Sequence, residues 1–190
     1  MAAMLPAGFL LTGCAEAAAA TAASMTPTVH THKTPRPSSC ADLPAGAAVQ
    51  AALDAAKEGD ALCLAPGIYF GPLTLPPGLT LWGPRDAIIR SRGVGTTITL
   101  RSRDRLLGLT VDGSGTRFDV LDASIKLDKG DDVLIEGVKV ERSTFGILLE
   151  QAKRVKVIGN HVVGIGGSAL GLRGDGIRLW ETYDSLVEDN

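Results

Sequence analysis

Apolar residues in the last two thirds of the chain do not recur at helical spacing. They come in runs of four or five positions, and Gly, Asp, Asn or Pro separates each run from the next. That pattern predicts short β-strands. The exception is 47–57, AAVQAALDAAK, where Val49, Ala52, Leu53 and Ala56 share one helical face and Gly59 follows in a plausible C-cap position. One short amphipathic helix is therefore expected ahead of an otherwise all-β chain.

The strands align with one another. Residues 124–138 read SIKLDKGDDVLIEGV, 146–160 read GILLEQAKRVKVIGN and 176–190 read GIRLWETYDSLVEDN. A slightly shorter copy opens at Ile98-Thr99-Leu100-Arg101 and ends at Gly108-Leu109-Thr110-Val111. The anchoring Ile98, Ile125, Ile147 and Ile177 stand 27, 22 and 30 residues apart. The shortest step suits one turn of a parallel β-solenoid, and the longer ones leave room for loops.

No copy is large enough to bury its own apolar face, so the copies must stack. Stacking piles Ile125, Ile147 and Ile177 at a spacing of about 4.8 Å, with Leu127, Leu149 and Leu179 in a second column. Period two then sends Thr99, Lys126, Leu148 and Arg178 outward, together with Arg101, Asp128, Glu150 and Trp180. Asn160 and Asn190 fall in equivalent turns, where Asn tolerates left-handed geometry and its amide can bond its neighbour's. The predicted fold is all-β, a right-handed parallel β-helix (a single-stranded solenoid) whose short N-terminal helix caps the open end. A β-sandwich is the structural alternative, but it prefers hairpins and does not explain the common phase. Residues 176–190 begin a coil and stop at its Asn, so the solenoid domain, 40–190, is expected to belong to a longer protein.

The N-terminus reads as an export signal. Residues 1–13, MAAMLPAGFLLTG, are apolar and uncharged, and Leu11-Thr12-Gly13-Cys14 resembles the lipobox of bacterial lipoproteins, in which the cysteine is acylated after cleavage. No Lys or Arg precedes the apolar stretch, a departure from the usual basic start. Residues 14–39 then supply the lipidated Cys14 and a flexible Ala, Thr, Ser and Pro tether. The expected location is exported and membrane-anchored, facing the periplasm or cell exterior. Of three Cys, removing Cys14 leaves Cys40 and Cys63, an even pair that predicts a disulfide in an exported chain.

Composition narrows the function classes. Across 190 residues, 19 basic and 21 acidic side chains give a net charge of -2, which argues against a phosphate-binding surface and so against a nucleic-acid partner. Aromatics are only 4%, little material for stacking platforms on single strands. Hydrophobic residues reach 45%, enough to exclude disorder over the whole length.

Several stretches together resemble NosD-type proteins. They are Ala51-Ala52-Leu53-Asp54-Ala55-Ala56, Gly59-Asp60-Ala61-Leu62-Cys63-Leu64-Ala65-Pro66-Gly67-Ile68-Tyr69, Gly71-Pro72-Leu73, Gly108-Leu109-Thr110-Val111-Asp112-Gly113-Ser114-Gly115, Phe145-Gly146-Ile147 and Gly174-Asp175-Gly176-Ile177-Arg178-Leu179-Trp180. The opening helix–strand segment is common to many β-helix proteins; the Gly-x-Gly-Ile-x-Leu-Trp segment is more specific. The resemblance implies an exported accessory factor for copper-centre maturation in nitrous-oxide reductase. Its implied partners are the subunits of an ATP-binding-cassette (ABC) transporter and the copper reductase. It also implies kinship with the pectate-lyase-like β-helices that bind or cut sugars.

The residues themselves offer limited chemistry. Copper(I) favours thioether and thiolate, and imidazole also serves. Met25, His30 and His32 form a conceivable soft-metal cluster, but they lie in the tether, where a solvated linker with incidental histidines is the better explanation. His161 reads as an exposed turn residue, and Asp131-Asp132 as a turn terminator. Copper is thus a cofactor by resemblance only. For sugar chemistry, Lys126, Asp128, Glu150, Arg173, Asp175 and Arg178 can share one outer face, with Trp180 as the outward ring. Stacked Asp128 and Glu150 would repel unless Lys126 or Arg101 relieves them, and such a pair can raise a pKa or hold a cation. A charged solvent face is the competing explanation. No nucleophile–base pair is evident, so the leading expectation is a non-enzymatic factor that docks partner proteins. A polysaccharide lyase, epimerase or glycan binder is the alternative, and a purely structural solenoid the third.

Overall fold

In the computed structural model, which describes residues 32–166 and 173–190, the chain winds through three parallel sheets. The winding opens with β1 (Ala41–Leu43) and α1 (Val49–Ala55). The first full coil is β2 (Ala61–Leu64), β3 (Gly67–Phe70) and β4 (Leu73–Thr74); the second is β5 (Thr80–Trp82), β6 (Ala87–Arg90) and β7 (Ile98–Leu100). The third is β8 (Arg105–Leu107), β9 (Thr110–Asp112) and β10 (Ala123–Asp128); the fourth is β11 (Leu134–Glu136), β12 (Lys139–Ser143) and β13 (Phe145–Glu150). The fifth is β14 (Lys156–Ile158), β15 (His161–Gly164) and β16 (Ile177–Trp180), and β17 (Leu186–Glu188) starts a sixth. The first strands of all coils, with β1, make a seven-stranded first sheet; the second and third strands make five-stranded second and third sheets. This is a parallel β-helix.

The register is the one the repeat requires. Ile98, Ile125, Ile147 and Ile177 stand opposite one another in the third sheet, with Leu73 below them, and Leu100, Leu127, Leu149 and Leu179 form the neighbouring column. The first sheet contributes Leu62, Leu81, Leu106, Ile135, Val157 and Val187, and the second Tyr69, Ile89, Val111, Val140 and Val162. Four inward columns, two of them from the third sheet, meet along the axis, and most of these side chains are fully buried. Each fully buried aliphatic stabilises the fold by roughly 1.5–3 kcal/mol. The long steps between coils come from loops after second-sheet strands, at 113–122 and between β15 and β16.

The ends and corners refine the expectations. Helix α1 spans only 49–55 and ends at Ala56 in extended geometry, so Gly59 is not its cap. Gly59 instead has a positive φ of 89° and donates its N–H to the Gly78 carbonyl. The helix does cover an edge: the Gln50 side chain accepts from Thr74 N (2.8 Å) and donates to Thr74 O (3.1 Å), standing in for a strand beside β4. At the corner between the first and second sheets Gly108, Gly137, Gly159 and Asp189 are left-handed, the last two one position before Asn160 and Asn190. Asn160 itself is buried and works through its amide: Oδ1 accepts from Val138 N (2.9 Å), while Nδ2 donates to Ile135 O (3.1 Å) and Asn190 Oδ1 (2.7 Å). His161 begins β15 rather than lying in the turn. Among the described residues no helix is long and apolar enough to cross a membrane.

The expected disulfide is present, Cys40 to Cys63, with Cα atoms 5.8 Å apart. It ties the residue before β1 to β2. The preceding segment, assigned by composition to the flexible tether, lies against the first sheet from residue 32 onward. His32 Nε2 meets Glu136 Oε1 at 2.7 Å, Thr34 Oγ1 donates to Glu136 O at 3.2 Å, and the Trp82 indole N–H donates to Thr34 O at 3.3 Å. Arg36 pairs with Asp42 at 2.6 Å and sits 5.8 Å from the Trp82 ring centre. The chain docks because the corner glycines leave a groove: a Cβ at Gly137 would strike the Thr34 hydroxyl, and one at Gly159 would sit 2.6 Å from the His32 side chain. Short-range composition carries no trace of this fit, which depends on residues up to about a hundred positions away.

Candidate functional site

The outer face of the third sheet gathers most of the sequence-predicted residues. Parallel register puts Lys126 beside Thr99 and Leu148, Leu148 beside Arg178, Asp128 beside Glu150, and Glu150 beside Trp180. Strand β7 stops at Leu100, so Arg101 lies beyond the column expected to include it; its N–H is held by Asp104 Oδ2 at 2.6 Å.

One outward position is not at the surface. Leu148 is fully buried, in a second apolar cluster with Ala123 and Phe145, and Leu121 packs on it. The loop 113–122 folds over the sheet and makes this cover. Phe118 meets Phe145 edge-on, with centroids 5.3 Å apart. The loop is pinned by polar contacts: Thr97 and Ser124 hydroxyls both donate to Gly113 O at 2.8 Å, and Ser114 Oγ accepts from Thr144 N at 3.3 Å. The clue was the sequence of Phe118, Val120 and Leu121 in an insertion, too apolar for a free loop.

Beyond this cover lies a charged shelf. Lys126 Nζ bonds Glu150 Oε2 at 2.7 Å, each about one-fifth exposed, so the lysine relieves the stacked carboxylates as expected. Asp128 is exposed beside them. Arg178 lies 5.9 Å from the Phe145 ring centre and 5.8 Å from that of Trp180, within cation–π range, and reaches Asp175 at 3.4 Å. Trp180 is 53% exposed, an indole with the Arg178 guanidinium on one side and Glu150 beside it in register. Arg173 lies near this face in sequence. Such a shelf can hold a polar ring by stacking and hydrogen bonds, or a complementary protein surface.

A neighbouring corner shows the same charge pairing. Arg154 grips Asp132 through Nε (2.7 Å) and Nη2 (2.9 Å) and reaches Asp131 at 3.3 Å. The Arg154 hydrogen bond holds the Asp132 carboxyl below its ordinary range. Both aspartates thus serve the corner, where the backbone of Asp131 also pairs with that of Lys153 as an isolated parallel bridge. Elsewhere Asp112, almost fully buried, is paired by Arg90 (2.8 Å) and Arg142.

The described residues do not fit a copper centre. They contain no group of three or more His, Cys, Asp or Glu able to hold a metal ion. Cys40 and Cys63 are bonded to each other, and His32 is committed to Glu136. Met25, His30 and Cys14 lie outside the described residues, as does the whole predicted signal.

No protein-family model matches the chain. A protein of Stutzerimonas stutzeri described as "Probable ABC transporter binding protein NosD" is 27% identical over 126 residues, 65% of this chain. The match spans 29% of that protein's length. Among solved structures, one from Parabacteroides merdae, described as a candidate glycosyl hydrolase, superposes with a TM-score of 0.52 at 15% identity. It covers 74% of this chain and 86% of its own, which is a likeness of fold. The chain is a parallel β-helix with a distant sequence similarity to NosD.

Proposed function

We propose that this protein is an exported, lipid-anchored accessory factor that supports copper-centre maturation of a reductase. It does so by docking an ABC transporter and the reductase on its solenoid, without catalysis of its own. The observation that carries the reading is the 27% identity with NosD over 126 residues. The outer surface suits the role. Its charges are largely neutralised in pairs along the stack, as in Lys126–Glu150 and Lys139–Glu141 (2.5 Å), and exposed Trp180 and Tyr183 offer anchors for a partner surface. Deleting the gene should leave the reductase synthesised but lacking its catalytic copper cluster, read by metal content and the cluster's absorption. Full metallation in the deletion strain rejects the proposal.

A second reading has its own observation. Exposed Trp180, with Arg178 near its ring and Glu150 beside it in the stack and Asp128 one strand further on, is an arrangement able to stack and hydrogen-bond a sugar ring. On that reading the protein is a polysaccharide lyase, epimerase or glycan binder. Cleavage of a uronate polymer that is lost in Asp128→Ala supports it, and wild-type protein inert toward such polymers and unable to retain them removes it.

A further inference from the structure

Arg85 lies in the turn between β5 and β6, away from the shelf on the third sheet. It is half-buried, and its Nη1 is shut off from solvent with no hydrogen-bond partner. Burial lowers the guanidinium's pKa from its ordinary value. Guanidinium groups in such positions ordinarily face a carboxylate or phosphate. Among the described residues no acidic side chain pairs with it, and of the carboxylates around the strap Glu136 is taken by His32 and Asp42 by Arg36.

A cavity of about 350 Å³ opens beside this arginine. Its walls are mainly apolar and come from Trp82, Pro84, Gly108 and the docked strap residues Lys33 and Thr34. Lys33 is exposed and adds a second cation without an acidic partner. Among the described residues, the cavity is therefore lined by two cations without an acidic partner, an indole, and His32, whose ring is held by Glu136. Gly108 packs tightly at the edge of the cavity, because a Cβ there would lie 2.6 Å from Gly83 O and 3.5 Å from Trp82 Nε1.

We propose that this cavity is a binding site for a small carboxylate carried on a ring. The carboxylate pairs with the Arg85 guanidinium, which turns about its terminal torsions to bring Nη1 out of its blind position, and Lys33 supplies the second charge. The ring lies against Trp82 and Pro84. The volume suits a single six-membered ring with its substituent. Because Lys33 and Thr34 belong to the strap, the site is complete only while the strap is docked. Ligand therefore stabilises the docked strap by mass action, and loosening the strap weakens binding by the same factor. The site is independent of the docking and glycan readings, since it uses none of the residues on the third-sheet shelf.

The test is calorimetric titration of the full chain with D-glucuronate and with benzoate, against glucose and inorganic phosphate. Binding by glucuronate or benzoate, lost at least about tenfold in Arg85→Gln and kept in part by Arg85→Lys, is the expected result. Which of the two binds tells an acidic sugar from an aromatic acid. Lys33→Gln should weaken binding several-fold, while Arg154→Gln, at a distant corner, should not. Thermal melts of each variant establish folding, and Arg85→Lys keeps the test valid should Arg85→Gln melt early. Glucose binding as well as glucuronate overturns the role of charge, and phosphate binding alone overturns the role of the ring. No binding of either carboxylate to wild type at about 10 mM, or equal binding to Arg85→Gln, overturns the site.

Discussion

Asn160 is the most exacting place to perturb this solenoid. Its side chain is 3% exposed and closes three contacts across neighbouring coils. In Asn160→Ala, the Val138 N–H loses its acceptor and the Ile135 carbonyl loses a donor, both inside the stack, and Asn190 loses its amide partner. Each buried backbone group left unsatisfied costs about 1–3 kcal/mol, so the two sum to about 2–6 kcal/mol before any relaxation. Asn160→Asp separates acceptance from donation. Its carboxylate still accepts from Val138 N, but it sets a buried negative charge against Ile135 O and Asn190 Oδ1. Protonation restores one donor. The folded-state pKa of that new carboxyl is thus raised, and its stabilising effect is present at acid pH and lost as pH rises through that pKa.

The assay is urea unfolding, with hydrogen exchange at the Val138 amide as the local probe. A repeat stack opens from weak interfaces, so the fourth-to-fifth coil boundary should lose protection first while the disulfide-tied first coils hold. Asn160→Ala costing less than about 1 kcal/mol, with the Val138 amide still slow to exchange, would refute the idea that the amide ladder holds these coils together.

Other changes test other joints. Reducing the Cys40–Cys63 bridge, which closes a separation of 23 residues, should cost about 3 kcal/mol in denaturant melts and expose the β1 edge to proteolysis. Asp104 is fully buried, and burial raises its carboxyl pKa from 3.8 to about 6 despite backbone donors from Arg101, Leu79 and Gly78. Its folded pKa lies above the unfolded one, so the stability it contributes is complete below pH 3.8 and is lost as pH rises through about 6. The wild type should therefore lose up to about 3 kcal/mol across that window relative to Asp104→Asn, whatever the variant's constant offset. Gly159→Ala should release the strap, since Gly159 has a φ of 60° and an added Cβ lands on His32. Trypsin should then cut after Lys33 faster than in wild type.

What the sequence made legible is the part of the fold that repeats. The Ile98, Ile125, Ile147 and Ile177 column is visible because each coil solves the same burial problem with the same residue type, and the structure pairs these four in one register. The exported-chain argument likewise found Cys40–Cys63. The first two coils were harder, because Leu73 and the strands around Pro66 and Pro72 share the inward columns without sharing the motif. Leu148 was assigned outward by parity, correctly for the backbone, yet an insertion covers it. Parity tells which side of a sheet a residue takes, not what lies over that side. On the shelf, stacking offered Lys126 or Arg101 to relieve the carboxylates, and Lys126 is the one that takes Glu150. Arg85 and Trp82 gave no signal, since their meaning depends on a strap seated far away in sequence.

That strap also constrains how the solenoid would stand on a membrane. Running toward Cys40, the chain passes His32 at the Gly159 corner of the fifth coil, Thr34 at the fourth, Trp82 at the second, and ends at the bridge to the first. It therefore arrives at the fifth-coil end and travels back along the axis. With Cys14 acylated, the segment joining it to residue 32 reaches about 20–25 Å if flexible. The anchor then holds the fifth coil closer to the lipid than the first and turns α1 away from it. Fluorophores placed at exposed Tyr183 and at exposed Ala51, in otherwise cysteine-tolerant positions, should be quenched unequally by lipid-bound quenchers on anchored vesicles, Tyr183 more than Ala51. Gly159→Ala should erase the difference, because an undocked strap lets the solenoid tumble at the end of a longer leash. Equal quenching in the wild type would mean that the strap does not set orientation, and stronger quenching at Ala51 would mean that the chain enters from the opposite end.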